Sequence, residues 1–190
     1  LGLAVSLVVN AEPAADALAR LADTRRPDAS GGLVFGCLLY LADHQDAARF
    51  WWQFAAGCGN RTAANCLSLH HRSHGQSRDA DHWRAQSATL RKSAVAHPPC
   101  REDGRPLLAD RIRYGLLAAC NRGADPRLPA AVEAVLRRLA ADADDEDFGG
   151  IPRPTADLPT ELANVPVPAG VDDIDLHHTG TGQSLRATAP

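Results

Sequence analysis

Methionine is absent from all 190 residues, and lysine occurs once, at Lys92, against 19 arginines. Without an initiator the chain is expected to be a fragment, with further chain upstream, or to start from a non-standard codon. The bias toward arginine and alanine points to a GC-rich, bacterial genome, a property of codons and not of function. Aromatic residues make up only 5% of the chain. A core poor in rings and rich in alanine suits close-packed helices better than a β-sandwich. No apolar run reaches the roughly 18 residues of a membrane span, so no membrane partner is expected. The apolar opening Leu1–Val9 has no basic residue before it, and Asn10-Ala11-Glu12 is a poor cleavage site. It reads as a first helix, not a signal peptide. A Gly-rich phosphate loop and a nucleophile elbow are both lacking, and so are paired carboxylates in an apolar setting. No catalytic activity and no cofactor are expected.

The five cysteines, at 37, 58, 66, 100 and 120, are scattered and odd in number. That is not a disulfide framework. They read as reduced thiols, mostly small core residues, in a cytoplasmic protein. The length fits one domain of about 150 residues with a tail. The net charge of −3 hides a split. Residues 1–141 carry 18 basic and 13 acidic side chains (net +5), and residues 142–190 carry 2 and 10 (net −8). This describes a mildly basic body and an acidic tail.

The densest aromatic stretch is 46–59, with Trp51, Trp52, Phe50 and Phe54. Ala48, Trp51, Trp52 and Ala55 follow the i, i+3, i+4, i+7 spacing of one helix face, and Ala47, Phe50 and Phe54 form a second stripe. A helix apolar on two sides belongs between two neighbours. Gly57 and Gly59 end it. Shifting the chain by 32 residues lays Phe35-Gly36 on Leu67-Ser68, Ala48 on Ala80, Trp51 on Trp83 and Ala56 on Ala88. A fainter set lays Leu3-Ala4 on Phe35-Gly36 and Leu7 on Leu39. The matches are helix-face positions, so the expected unit is a helical hairpin: about 1–25, 31–58 and 61–90. Periods of this size belong to stacked helix pairs, each too small to bury its own apolar face. The expected fold is therefore all-α, a stack of hairpins.

Residues 33–60 resemble a Sel-one-like repeat, a relative of the tetratricopeptide repeat. The counterparts of its pattern are Phe35-Gly36, Ala48, Trp51-Trp52, Ala55-Ala56 and Gly59-Asn60. The next repeat keeps Leu67-Ser68, Ala80, Trp83 and Ala88. It departs from the pattern with His71, Arg84 and Ser87, and Tyr40 falls one residue late for the tyrosine slot. The resemblance covers 31–90 well and 1–30 faintly. It implies a scaffold that binds another protein and says nothing of chemistry. The expected structural core of the repeats is Gly36, Ala48, Trp51, Trp52, Ala55 and Trp83. The expected partner groove, lined by first helices, is Tyr40, His70, His71, His74 and His82.

His97-Pro98-Pro99 breaks the period, since proline cannot continue a helix. Helices are expected again at about 106–120 and 129–141, a divergent last hairpin (105–141) capping the stack. From Asp142 onward the acid run Asp144–Asp147 and the frequent prolines read as a disordered acidic tail, 142–190. Within it Leu158–Val165 is an apolar-acidic island able to dock. The tail is expected to fold back on the basic body and compete with an acidic partner.

Three other groups of residues admit a second reading. Cys66, His70 and His74 fall at i, i+4, i+8 and are of zinc-ligating types, but the spacing matches no strong zinc signature and no metal is assigned. His82 and Gln86 stand where the previous repeat has Phe50 and Phe54, which reads as a solvated face ahead of a polar binding patch. Arg101, Arg105, Arg111 and Arg113 read as a solvated face ahead of a nucleic-acid stripe, and a pI near 6.2 also disfavours nucleic acid. A transcription-associated regulator remains the alternative to the scaffold, with a Cys/His metalloprotein behind it.

Overall fold

The computed structural model describes residues 1–22, 28–90, 105–141 and 150–166. Among them the chain is helical, with no strand and one isolated antiparallel bridge, Ala141 with Pro152. The helices are α1 (Gly2–Val9), α2 (Ala14–Ala22), α3 (Ala29–Leu41), α4 (Gln45–Gly57), α5 (Arg61–Ser73), α6 (Ser77–Leu90), α7 (Asp110–Asn121), α8 (Ala130–Arg137) and α9 (Leu158–Ala163).

Helices α3 to α6 begin at residues 29, 45, 61 and 77, sixteen residues apart. Local chemistry sets both ends. Asp28 caps α3 by accepting from the Gly31 amide at 2.7 Å, and Asn60 caps α5 by accepting from Ala63 at 3.0 Å. Each relieves one of the orphan donors at a helix start. The C-terminal ends of α3, α4, α5 and α7 close with the same pair of backbone bonds. His44, Asn60, Gln76 and Ala124 donate back five residues to Leu39, Ala55, His71 and Ala119. The residue before each donor is left-handed: Asp43 (φ 64), Gly59 (φ 93), Gly75 (φ 72) and Gly123 (φ 71). These are Schellman turns, three of them built on the residue that reaches positive φ without steric cost. Asp43 is the exception. Aspartate tolerates this region, and its carboxylate accepts from Gln45 and from Arg127, which keep its pKa below the usual carboxylate value.

Helix α3 lies at the centre, packed by α1, α2 and α4, with ten of its thirteen residues buried. Helix α4 sits between α3 and α5, and α6 packs on α5. Close approach of α3 to its neighbours depends on small residues. A Cβ at Gly36 would lie 2.6 Å from Trp52 and 3.1 Å from the Ala48 carbonyl, and one at Gly32 would lie 2.8 Å from Phe54. The two apolar stripes of α4 are unequal. In the first, Ala48, Trp52 and Ala55 are fully buried and Trp51 half-buried; in the second, Ala47 is buried and Phe50 and Phe54 are half-buried, with Trp51 edge-to-face at 5.5 Å from Phe50, 5.6 Å from Phe54 and 5.3 Å from Phe35.

The later helices differ from the expected capping hairpin. Helix α7 packs on α1, at the opposite end of the molecule's helix order from α6. Ser6 on α1 and Asn10 at its C-terminal cap meet Cys120 and Arg113 on α7, so the two run antiparallel. The connection returns through Pro126, which abuts Gly2, and Leu128, whose amide donates to Leu41. Helix α7 has Ile112 and Leu116 to bury, and α1 has a matching apolar side, whereas α6 buries only Ala80 and Ser87. A helix face without apolar residues offers a following helix nothing to pack on.

The stretch expected as one disordered tail also divides. Ile151, Leu158, Leu162 and Val165 are buried, and α9 packs on α2 and α8. The island docks on the chain's own body, because three apolar side chains at i, i+4 and i+7 give even a short helix a face to bury. The acid run at 144–147, the remaining prolines beyond 166, His97-Pro98-Pro99, Cys100 and Arg101 lie outside the described residues.

Candidate partner-binding edge

The C-terminal ends of α3 and α5 meet the middle of α4 along one edge. There a row of rings runs across three helices. Tyr40 on α3 stands 5.6 Å from Trp52 on α4, Trp52 stands 6.1 Å from His70 on α5, and His70 stands 4.4 Å from His74. Three of the five expected groove residues, Tyr40, His70 and His74, thus join through Trp52, a residue expected in the core. His71 is the neighbour of His70, at 5.6 Å. His82 is apart, on α6, exposed and 5.4 Å from Trp83.

Exposure separates the five sharply. His74 and His82 are exposed and Tyr40 is half-buried, but His70 and His71 retain only 7% of their surface. The physical reason lies in the 32-residue offset. His70 and His71 occupy the places of Leu38 and Leu39, both fully buried one hairpin earlier. They sit in interior positions with polar rings. His71 Nδ1 meets Gln76 Oε1 at 2.6 Å, while its Nε2 and the Nδ1 of His70 have no partner. Burial holds the His70 pKa down to about 4, helped by His74, His71 and Arg49 and opposed by Asp46. A buried imidazole with no acceptor for its second proton stays neutral. His74 Nδ1 donates to the His70 carbonyl at 2.9 Å, and the residue is exposed. The Tyr40 hydroxyl is pushed up by burial and by the carboxylates of Asp125 and Asp43, with Arg127 opposing.

Of the expected repeat core, Ala48, Trp52 and Ala55 are fully buried, Gly36 is buried against Trp52, and Trp51 and Trp83 are half-buried. Cys66 does not join the histidines. It is wholly buried beside Cys37, whose thiol is pushed well up, first by burial and then by Cys66. Among the described residues no group of three or more His, Cys, Asp or Glu is arranged to hold a metal ion. No described helix is long and apolar enough to cross a membrane. Of the arginines, Arg105 is exposed, and Arg113 spans Asp110 and the Asn10 carbonyl.

Two contacts escaped the reading of the sequence. Ser68 donates to the Ala80 carbonyl at 2.8 Å, and Trp51 donates its indole N–H to the carbonyl of Pro152 at 3.1 Å. The first had a signal, since Ser68 and Ala80 match Gly36 and Ala48 across the offset. The second joins residues 101 apart and had none. The caps Asp28 and Asn60, also 32 apart, were missed as well, although both are helix-start residue types. Comparison of the chain with protein-family models, with curated proteins and with solved structures returns no match.

Proposed function

We propose that this chain is a protein-binding scaffold of stacked helical hairpins, and that it takes a partner segment along the edge carrying Tyr40 and His74. The repeat reading is supported by the sixteen-residue spacing of the starts of α3 to α6, and by the like placement of Gly36 against Ala48 and Ser68 against Ala80. The observation that carries the binding reading is the ring row Tyr40–Trp52–His70–His74, half in the core and half at the surface. Such rings offer a partner rigid apolar area at small entropic cost. Trp52 and His70 serve as the fixed floor, and Tyr40 and His74 are the groups a partner touches. The polar outer face of α6, with His82 and Gln86 exposed, fits the last member of a stack, which needs a solvated end.

The test is retention of proteins from native cell extract on the immobilised full chain, with nuclease treatment as a control. A defined protein that survives nuclease and is lost from the Tyr40→Ala/His74→Ala double variant is the expected result. Retention that disappears with nuclease turns the reading to a nucleic-acid-linked regulator.

A further inference from the structure

A second surface, distinct from the edge above, already holds a peptide. Residues 150–166 lie over α2, α4 and α8 as an extended stretch followed by a short helix. The Pro152 carbonyl accepts from Trp51, the Arg153 amide donates to Ala140, and Ile151, Leu158, Leu162 and Val165 are buried. We infer that this surface is a docking site for an amphipathic, acidic helical segment of another protein, which the chain occupies in cis with its own segment of that chemistry.

The bound segment defines the ligand. It carries apolar residues at i, i+4 and i+7 (Leu158, Leu162, Val165) and an acid at i+3, Glu161, facing Arg138 at 3.6 Å. It is preceded by an extended residue whose carbonyl meets an indole N–H. The same segment fits its seat incompletely. Between α8 and α9 lies an open groove of about 390 Å³, lined by Val135, Arg138, Asn164 and Val165 among others. The Arg138–Glu161 pair across it is solvent-exposed on both sides, and exposed pairs hold weakly. The buried side chains of Ile151, Leu158, Leu162 and Val165 hold the segment, and its attachment to the same chain raises its effective concentration above that of a free peptide. A partner displaces it by filling the groove that it leaves open.

The experiment places a protease recognition sequence within 142–149 of the full chain, which is cut after folding. A labelled synthetic peptide of residues 150–166 is then added and followed by anisotropy, with circular dichroism in parallel. The cut chain is expected to bind the peptide at least about tenfold more tightly than the uncut chain, since the tether no longer competes. Helical content is unchanged on exchange, and a peptide with Leu162→Glu fails to bind. A peptide with Asn164→Leu, which projects an apolar side chain into the groove, binds more tightly than the native one. Equal binding to cut and uncut chains, no binding to the cut chain, loss of helix as the native segment leaves, or no gain from Asn164→Leu each overturns the proposal. None of these outcomes bears on the edge at Tyr40 and His74.

Discussion

Ser68 on α5 donates its hydroxyl to the backbone carbonyl of Ala80 on α6, 2.8 Å away. One hairpin earlier the same two positions are Gly36 and Ala48, and there the helices approach until only a hydrogen fits: a Cβ at Gly36 would stand 3.1 Å from the Ala48 carbonyl and 2.6 Å from Trp52. One crossing is solved by absence of a side chain and the other by a hydrogen bond. Ser68→Ala is therefore expected to cost about 1 kcal/mol, the net worth of one hydrogen bond. Gly36→Ala is expected to cost about 1–3 kcal/mol through overpacking against a buried indole. Urea titrations of the two variants check both values, and a cost at Gly36 no larger than at Ser68 would contradict the steric account.

The His70 ring makes stability depend on acidity. Its folded pKa is about 4, below the value of about 6.5 for a free imidazole. Above pH ~6.5 both states are neutral and the fold has its full stability. As pH falls from there the unfolded chain takes up the proton first, and stability is lost until the folded ring also protonates near pH 4. The loss is bounded at about 3 kcal/mol. His70→Leu, which restores the residue type found at Leu38, removes this part of the slope. Melting temperatures at pH 7.5, 5.5 and 4.5 for the two proteins measure it.

One substitution should act with opposite sign at two glycines. Gly75 has φ 72 and nothing within 4 Å of an added Cβ, so Gly75→Ala costs only backbone strain, about 1 kcal/mol. Gly115 lies inside α7, also with open space around it. Gly115→Ala removes only the entropic penalty of glycine in a helix and stabilises by about 0.5–1 kcal/mol. Thermal melts of the pair decide it.

Trp51→Phe keeps a ring among Phe35, Phe50 and Phe54 and removes the N–H that reaches Pro152. The expected cost is about 1 kcal/mol. The loss should be local: the Arg153 amide, bonded to Ala140, exchanges faster with solvent, while amides of α3 keep their protection. Hydrogen exchange read residue by residue shows whether residues 150–166 loosen alone.

Much of the helix layout was legible because it is written in short-range terms. The glycine at 59 and the apolar spacing of α4 act within a turn or two, so they mark a helix and its end without knowledge of the rest. Asp43 was not legible as a turn residue. It takes the left-handed conformation that glycine takes at the other three turns, and its carboxylate accepts from Gln45 and, 84 residues away, from Arg127. The histidines were legible as a cluster but not as buried ones. Whether a position at a helix end is interior depends on which neighbour covers it, and Trp52 covers His70.

What the sequence by itself determined was therefore the helical character of the chain, the apolar spacing of α4 and the apolar face of Leu158–Val165. Periodicity and capping are properties of neighbouring residues, and they persist in any fold that uses them. Only the tertiary structure decided that α7 returns to α1, that residues 150–166 lie under the indole N–H of Trp51, and that Tyr40, Trp52, His70 and His74 share an edge. These are contacts between segments up to about a hundred residues apart. An apolar face specifies that it must be covered but not by what, and that choice is made by the shape and charge of the whole assembled surface.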